Sequence, residues 1–196
     1  MIGRALVGGV VAALAMFILG FIFYATPLYK LGSASLDNAG AAAVQQSLAQ
    51  NIAKTGTYFI PSGDTPEQTV MYGQGPVATI HYNSGGFSIA NPGVMIGGFL
   101  HMLVVTLLMG VGLYTLSLHV PSFGERVRLL VLGTLGAAVF MRLGEPVWFH
   151  QDWGHAIYLF VADCISLIVA GLVILKLLPK HGLAKGAGAA GEPRAG

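Results

Sequence analysis

The sequence predicts an all-α membrane protein: a bundle of four transmembrane helices with a small mixed α/β extracytoplasmic cap between helices 1 and 2. Three observations predict it. Of 196 residues, 55% are hydrophobic and only 9% charged, where an average soluble domain carries roughly a quarter charged residues. Four apolar stretches each reach the ~20 residues that a helix rising ~1.5 Å per residue needs to cross a hydrocarbon core ~30 Å thick. Between the first two lies the one long polar stretch, residues 27–92.

The first segment, residues 1–26, holds a span over 5–24 behind a short basic start ending at Arg4. Tyr24 and Tyr29 fall where aromatic rings favour the headgroup level. A competing reading takes this segment as a signal peptide, with Gly32-Ser33-Ala34 as the cleavage site, although its apolar run exceeds the usual h-region.

The cap, residues 27–92, begins with a helix. Asp37 or Asn38 can cap it, Val44, Leu48 and Ile52 recur at helical spacing, and Gly56 stops it. Short β-rich runs follow over 57–60, 69–72 and 76–82, separated by Gly- and Pro-containing turns. A sheet of two or three such strands buries too little to stand alone.

The remaining spans are read over 93–116, 127–148 and 153–177. Pro146 lacks the N–H that would bond the carbonyl of Arg142, so it is expected to kink or end the third. Residues 178–196, rich in Gly and Ala, read as a disordered cytoplasmic tail.

Orientation follows from Lys and Arg, which accumulate on the cytoplasmic side. Arg4, Arg126, Arg128, Lys176, Lys180, Lys185 and Arg194 fall on one side of this arrangement, Lys30 and Lys54 on the other. Both termini are therefore expected in the cytoplasm of a multi-pass inner (plasma) membrane protein, with the basic groups meeting anionic headgroups. Small residues at i, i+4 should mark helix contacts, because close backbone approach supplies the packing in lipid. Such pairs are Gly8/Ala12, Gly9/Ala13, Gly93/Gly97, Gly133/Ala137 and the run Ala162/Ser166/Ala170.

Charges inside a bilayer are disfavoured by about 2.5–3.5 kcal/mol each on insertion scales, so they normally face the interior and pair. Here Arg142 and Glu145 share a helix face and Asp163 lies on the next, antiparallel helix. Counted from the turn at 150–152, their depths are roughly 5 Å for Glu145, 10 Å for Arg142 and 15 Å for Asp163. His101 on span two falls near the depth of Arg142, on a face with Gly97, Gly98 and Leu108. His150, Asp152 and His155 crowd the outer turn above. The expected arrangement is a polar column from the outer surface down to Asp163.

Four roles compete for that column. The first is structural, a buried ion network of His101, Arg142, Glu145 and Asp163 that locks helix register. The second is a proton or small-solute path in which Asp163 titrates and Arg142 tunes it. The third is haem held between His101 and His155. A divalent ion at His150, His155 and Glu145 suits the spacing poorly, so no metal is assigned. The fourth is an outer catalytic pair, His150 with Asp152, which no activated Ser or Cys accompanies. With one cysteine, Cys164, a disulfide framework is excluded. A net charge of +2 leaves no basic surface for nucleic acid.

The function expected is a non-enzymatic accessory or interaction subunit without a cofactor. Its partners are the lipid bilayer and either a second copy, as a homo-oligomer, or another membrane protein. The alternatives are proton-coupled or solute handling through the polar cluster, then haem-based electron transfer.

Overall fold

The structure is a computed structural model, and it describes residues 2–178. The chain is mostly helical, with a small two-stranded sheet. It divides into two compact units, one made of residues 1–34 with 92–196 and the other of residues 35–91. The tail beyond Leu178, with Lys180, Lys185 and Arg194, lies outside the described residues.

The first unit contains α1 (Ile2–Ala25). Thr26 ends it, because the residue before a proline is pushed out of the helical region and Pro27 has no N–H to continue the ladder. Thr26 Oγ1 donates to the Ile22 carbonyl at 2.6 Å and accepts from Leu28 N at 3.3 Å. The chain then makes one 3-10 segment, Pro27–Leu31, and stops at Gly32.

The second unit opens with α2 (Asn38–Asn51), capped as expected by Asp37, which accepts from Gly40 N at 2.7 Å. Strand β1 (Gly56–Ile60) pairs antiparallel with β2 (Ala78–Tyr82), Gly56 opposite Tyr82 and Ile60 opposite Ala78. The third β-rich run is not a strand. Residues 69–72 lie inside α3 (Pro66–Gln74). Thr65 accepts from Gln68 N at 3.2 Å, Pro66 fills the first turn, and Glu67 meets the positive end of the helix. That capping signal outweighs the β propensity of Thr69, Val70 and Tyr72. Gly75 closes the helix at φ +68°, a conformation that favours glycine.

Back in the first unit come α4 (Pro92–His119), α5 (Phe123–Ala138), α6 (Gly144–Phe149) and α7 (Trp153–Leu177). Between α5 and α6, residues Val139–Leu143 wind as a π segment. Pro146 therefore does not end the third span, which runs Phe123–Phe149. A wide turn just upstream of a proline accommodates the carbonyl that the ring would otherwise strike. With it, four helices among the described residues are long and apolar enough to cross a membrane: Ala5–Ala25, Pro92–His119, Phe123–Phe149 and Trp153–Leu177.

Helix α1 packs mainly on α4 and α7, and α5 packs on α7. The small residues explain part of this. Ala12 and Ala13 are fully buried. A side chain at Gly8 would touch the Ile174 backbone, and one at Gly9 would press on Leu107. Ala162, Ser166 and Ala170 are buried on α7. Gly97, Gly133 and Ala137, by contrast, face outward and make no such contact. The apolar core gathers Ala5, Leu113, Leu130, Ala170 and Ile174, at the end of the helices where α1 begins and α7 finishes. Arg126 closes that end. It is 5% exposed, and its guanidinium donates to the carbonyls of Val120 (2.6 Å), Ser117 and Pro121 (both 3.2 Å). Arg126 thus does not reach out to headgroups as its position in the sequence suggested. It satisfies the open carbonyls at the C-terminus of α4.

Candidate functional site

The polar site sits at the opposite end of α1, α5–α6 and α7 from the apolar core. Asp163, ten residues into α7, is its centre. Its Oδ2 accepts from Arg142 Nε at 2.7 Å, and its Oδ1 accepts from the Tyr24 hydroxyl at 3.3 Å. Three separate stretches of chain therefore meet on one carboxylate: the last turn of α1, the π segment and α7. Both side chains of the ion pair keep about three-tenths of their surface exposed, 30% for Arg142 and 29% for Asp163. Cys164 beside it is buried and unpaired as a thiol.

The π segment explains why Arg142 can make this bond. One i→i+5 turn inserts a residue into the helical register, rotating the side chains that follow relative to those before it. Glu145, one turn further along and part-buried, adds a second carboxylate close enough to act on the guanidinium through its field. Among the described residues its side chain forms no hydrogen bond and no ion pair.

Two further bonds clamp α1 and the 3-10 segment after it against α7. Tyr158 donates its hydroxyl to the Phe23 carbonyl at 2.6 Å, and its ring meets Phe23 edge-on at 6.3 Å. His155 Nδ1 lies 2.6 Å from the Gly32 carbonyl. A carbonyl only accepts, so Nδ1 carries the proton in this bond. Gly32 cannot carry a side chain, because a Cβ there would overlap the Tyr158 ring.

The sequence-derived column is thus assembled in part. Arg142 and Asp163 form the expected pair, with Glu145 beside them. His101 does not join them: it is exposed on α4, whose main packing partner is α1, and its side chain has no hydrogen bond among the described residues. The face assumed for it has two sides. Gly98 turns toward Phe17, while Gly97 and Leu108 turn outward with His101. His101 and His155 accordingly have different surroundings, the first unpartnered and the second bonded to Gly32. His150 ends α6 in the left-handed region at φ 53° and is exposed. Asp152 does not orient His150; its Oδ2 caps α7 by accepting from His155 N at 2.6 Å. Among the described residues, no three His, Cys, Asp or Glu side chains converge as a metal site would require.

Tyr24 is the member that sequence reasoning missed. As an aromatic residue near the end of an apolar stretch it read as an interfacial anchor, and nothing local distinguishes that from a hydrogen-bond donor. The one available signal was depth. Pro27 stops α1 early, so its last turn lies beside the interior of α7.

No protein-family model matches the chain, and no curated protein or solved structure is significantly similar to it.

Proposed function

We propose that this chain is a non-enzymatic subunit of the inner (plasma) membrane: a four-helix transmembrane bundle with both termini cytoplasmic and residues 27–92 as an extracytoplasmic cap. It serves as an accessory or interaction subunit, docking to a second copy or to another membrane protein. One observation carries the reading. The Asp163 carboxylate has both oxygens engaged, by Arg142 on one side and Tyr24 on the other, so the charges neutralise each other and tie three segments together. A paired and hydrogen-bonded intramembrane charge is a means of fixing register between apolar helices that otherwise slide easily. The distribution of Lys and Arg supports the orientation.

A second reading, proton-coupled or small-solute handling, is favoured by one specific feature. Arg142 uses only Nε on Asp163, and Glu145 brings a second carboxylate to the same guanidinium. Purified protein reconstituted in vesicles holding a pH-sensitive dye separates the two. The accessory reading expects no protein-dependent proton flux and expects Asp163→Asn to lower the unfolding temperature. A flux that Asp163→Asn abolishes in a folded protein would replace it with the second reading. A Soret band in protein made with ample haem would instead favour electron transfer.

A further inference from the structure

Two charged groups at the polar site keep bonding capacity that the described residues do not use. Arg142 donates to Asp163 through Nε alone, and its two terminal nitrogens donate to nothing among the described residues. The Glu145 carboxylate, on a part-buried residue, has neither hydrogen bond nor ion pair there, yet its field reaches the same guanidinium.

The level of these groups in the membrane follows from α1. Its apolar stretch Ala5–Ala25 has 21 residues, a rise of about 31 Å that matches the hydrocarbon core. The two ends of that stretch therefore stand near the two faces of the layer. Gly8 lies against Ile174 and Leu177, which sets the start of α1 beside the end of α7. From that level Asp163 stands about 19 Å along α7 and Ala25 about 25 Å along α1. Asp163 is thus only about 6 Å beneath the outer face, where counting from the turn at 150–152 gave 15 Å. The 3-10 segment Pro27–Leu31, with Lys30 exposed, then lies in the headgroup layer. Gly32, bonded to His155, follows it, so the first turns of α7 stand above the hydrocarbon. An arginine at this level is within a side-chain length of lipid phosphates. Glu145, three residues further along a helix that runs outward, is about 4–5 Å nearer the water than Arg142.

We propose that Arg142 and Glu145 together hold the headgroup of an outer-leaflet phosphatidylethanolamine, its phosphate on the open edge of the Arg142 guanidinium and its ammonium on the Glu145 carboxylate. The proposal rests on the transmembrane reading above. The terminal N–H groups of a guanidinium form a fork that fits phosphate oxygens. A primary ammonium has three N–H donors for a carboxylate. Charge makes the choice among lipids. Arg142 and Asp163 neutralise each other, Glu145 leaves one negative charge over, and a zwitterion supplies the cation that Glu145 lacks. Phosphatidylglycerol would instead set a second negative charge beside Glu145, and the trimethylated ammonium of phosphatidylcholine has no N–H to donate.

The test is native mass spectrometry of the full chain in detergent micelles, offered phosphatidylethanolamine, phosphatidylcholine and phosphatidylglycerol with the same acyl chains. Phosphatidylethanolamine should be held about 3- to 30-fold more tightly than either of the others, the range of one part-exposed, charge-assisted hydrogen-bonded pair. Glu145 takes no part in the bonds among Tyr24, Arg142 and Asp163, so its variants should fold. Glu145→Gln should erase the preference over phosphatidylcholine, and Glu145→Lys should turn the preference toward phosphatidylglycerol. Arg142→Lys keeps a cation for Asp163 but loses the fork, and should weaken all three lipids alike. Water-soluble glycerophosphoethanolamine at the same concentration should not displace the lipid. Equal retention of the three lipids, a preference unchanged in Glu145→Gln, or displacement by the soluble headgroup would overturn the proposal. These outcomes are distinct from failure of the accessory reading, which the dye assay reports. They are also distinct from failure of the transmembrane reading, in which Val104→Cys in vesicles would react with a water-soluble maleimide.

Discussion

Arg142 reaches Asp163 through Nε, at 2.7 Å from Oδ2, out of a stretch of helix wound in the wider π turn. The bond and the winding belong together. Pro146 removes one rung of the helical ladder, the wide turn absorbs the displaced carbonyl, and the resulting change of register gives Arg142 its direction toward α7. A proline that reads as a helix breaker therefore acts here as a means of aiming a charge.

Close packing of α5 on α7 depends on Gly171. A Cβ at that position would come within 2.5 Å of Leu130 side-chain atoms. Gly171→Ala should therefore destabilise the protein by about 1–3 kcal/mol through overpacking. Leu130→Ala in the same chain should restore part of the loss, because the smaller side chain vacates that space. Unfolding in mixed micelles, followed by circular dichroism for the two single variants and the double, checks the non-additivity.

Arg126 is held by three carbonyls at the end of α4. Arg126→Met keeps much of the apolar stem and leaves those carbonyls without their donor, which should cost about 1–3 kcal/mol. Hydrogen exchange should quicken at the last turn of α4 and the first turn of α5 and stay unchanged around Asp163. A purely topological role for this arginine would leave exchange at that turn as it is.

The second unit offers a pH test. Glu67, fully exposed in the first turn of α3, has its carboxyl held below the ordinary value by its own backbone N–H and by the Thr65 hydroxyl. Folding thus favours the ionised form. Its contribution is fully present above the unfolded-state pKa, and it is lost from about pH 4.5 downward as the carboxyl protonates through the folded-state value. Exchange-protected amides of α3, monitored by NMR across that range, should open earlier than those of α2. Glu67→Gln should remove this difference.

How much of this was legible in the sequence follows from the range of each signal. The four long apolar helices rest on composition summed over about 20 residues, and they stand close to where hydropathy put them. Asp37 as the cap of α2 was equally local. Residues 69–72 went wrong because β propensity was weighed over the run itself, while the deciding signal, Thr65-Pro66-Glu67-Gln68, lay just before it. Arg142 with Asp163 could be read because oppositely charged residues at similar depth have few other partners. Tyr24 and His101 could not, since helix rotation decides which way each faces, and in a helix apolar all round no periodicity reveals that rotation.

The most direct test of the account is a double-mutant cycle on Arg142 and Asp163, measured as unfolding free energy in mixed micelles. Arg142→Met and Asp163→Leu should each cost about 1–3 kcal/mol, less than a fully buried pair because both side chains keep three-tenths exposure. The double variant should recover to within about 1 kcal/mol of the unaltered protein, since no charge is then left alone. If the two costs instead add to within about 0.5 kcal/mol, the two residues do not act on each other, and the lock on which the proposed role rests is not there.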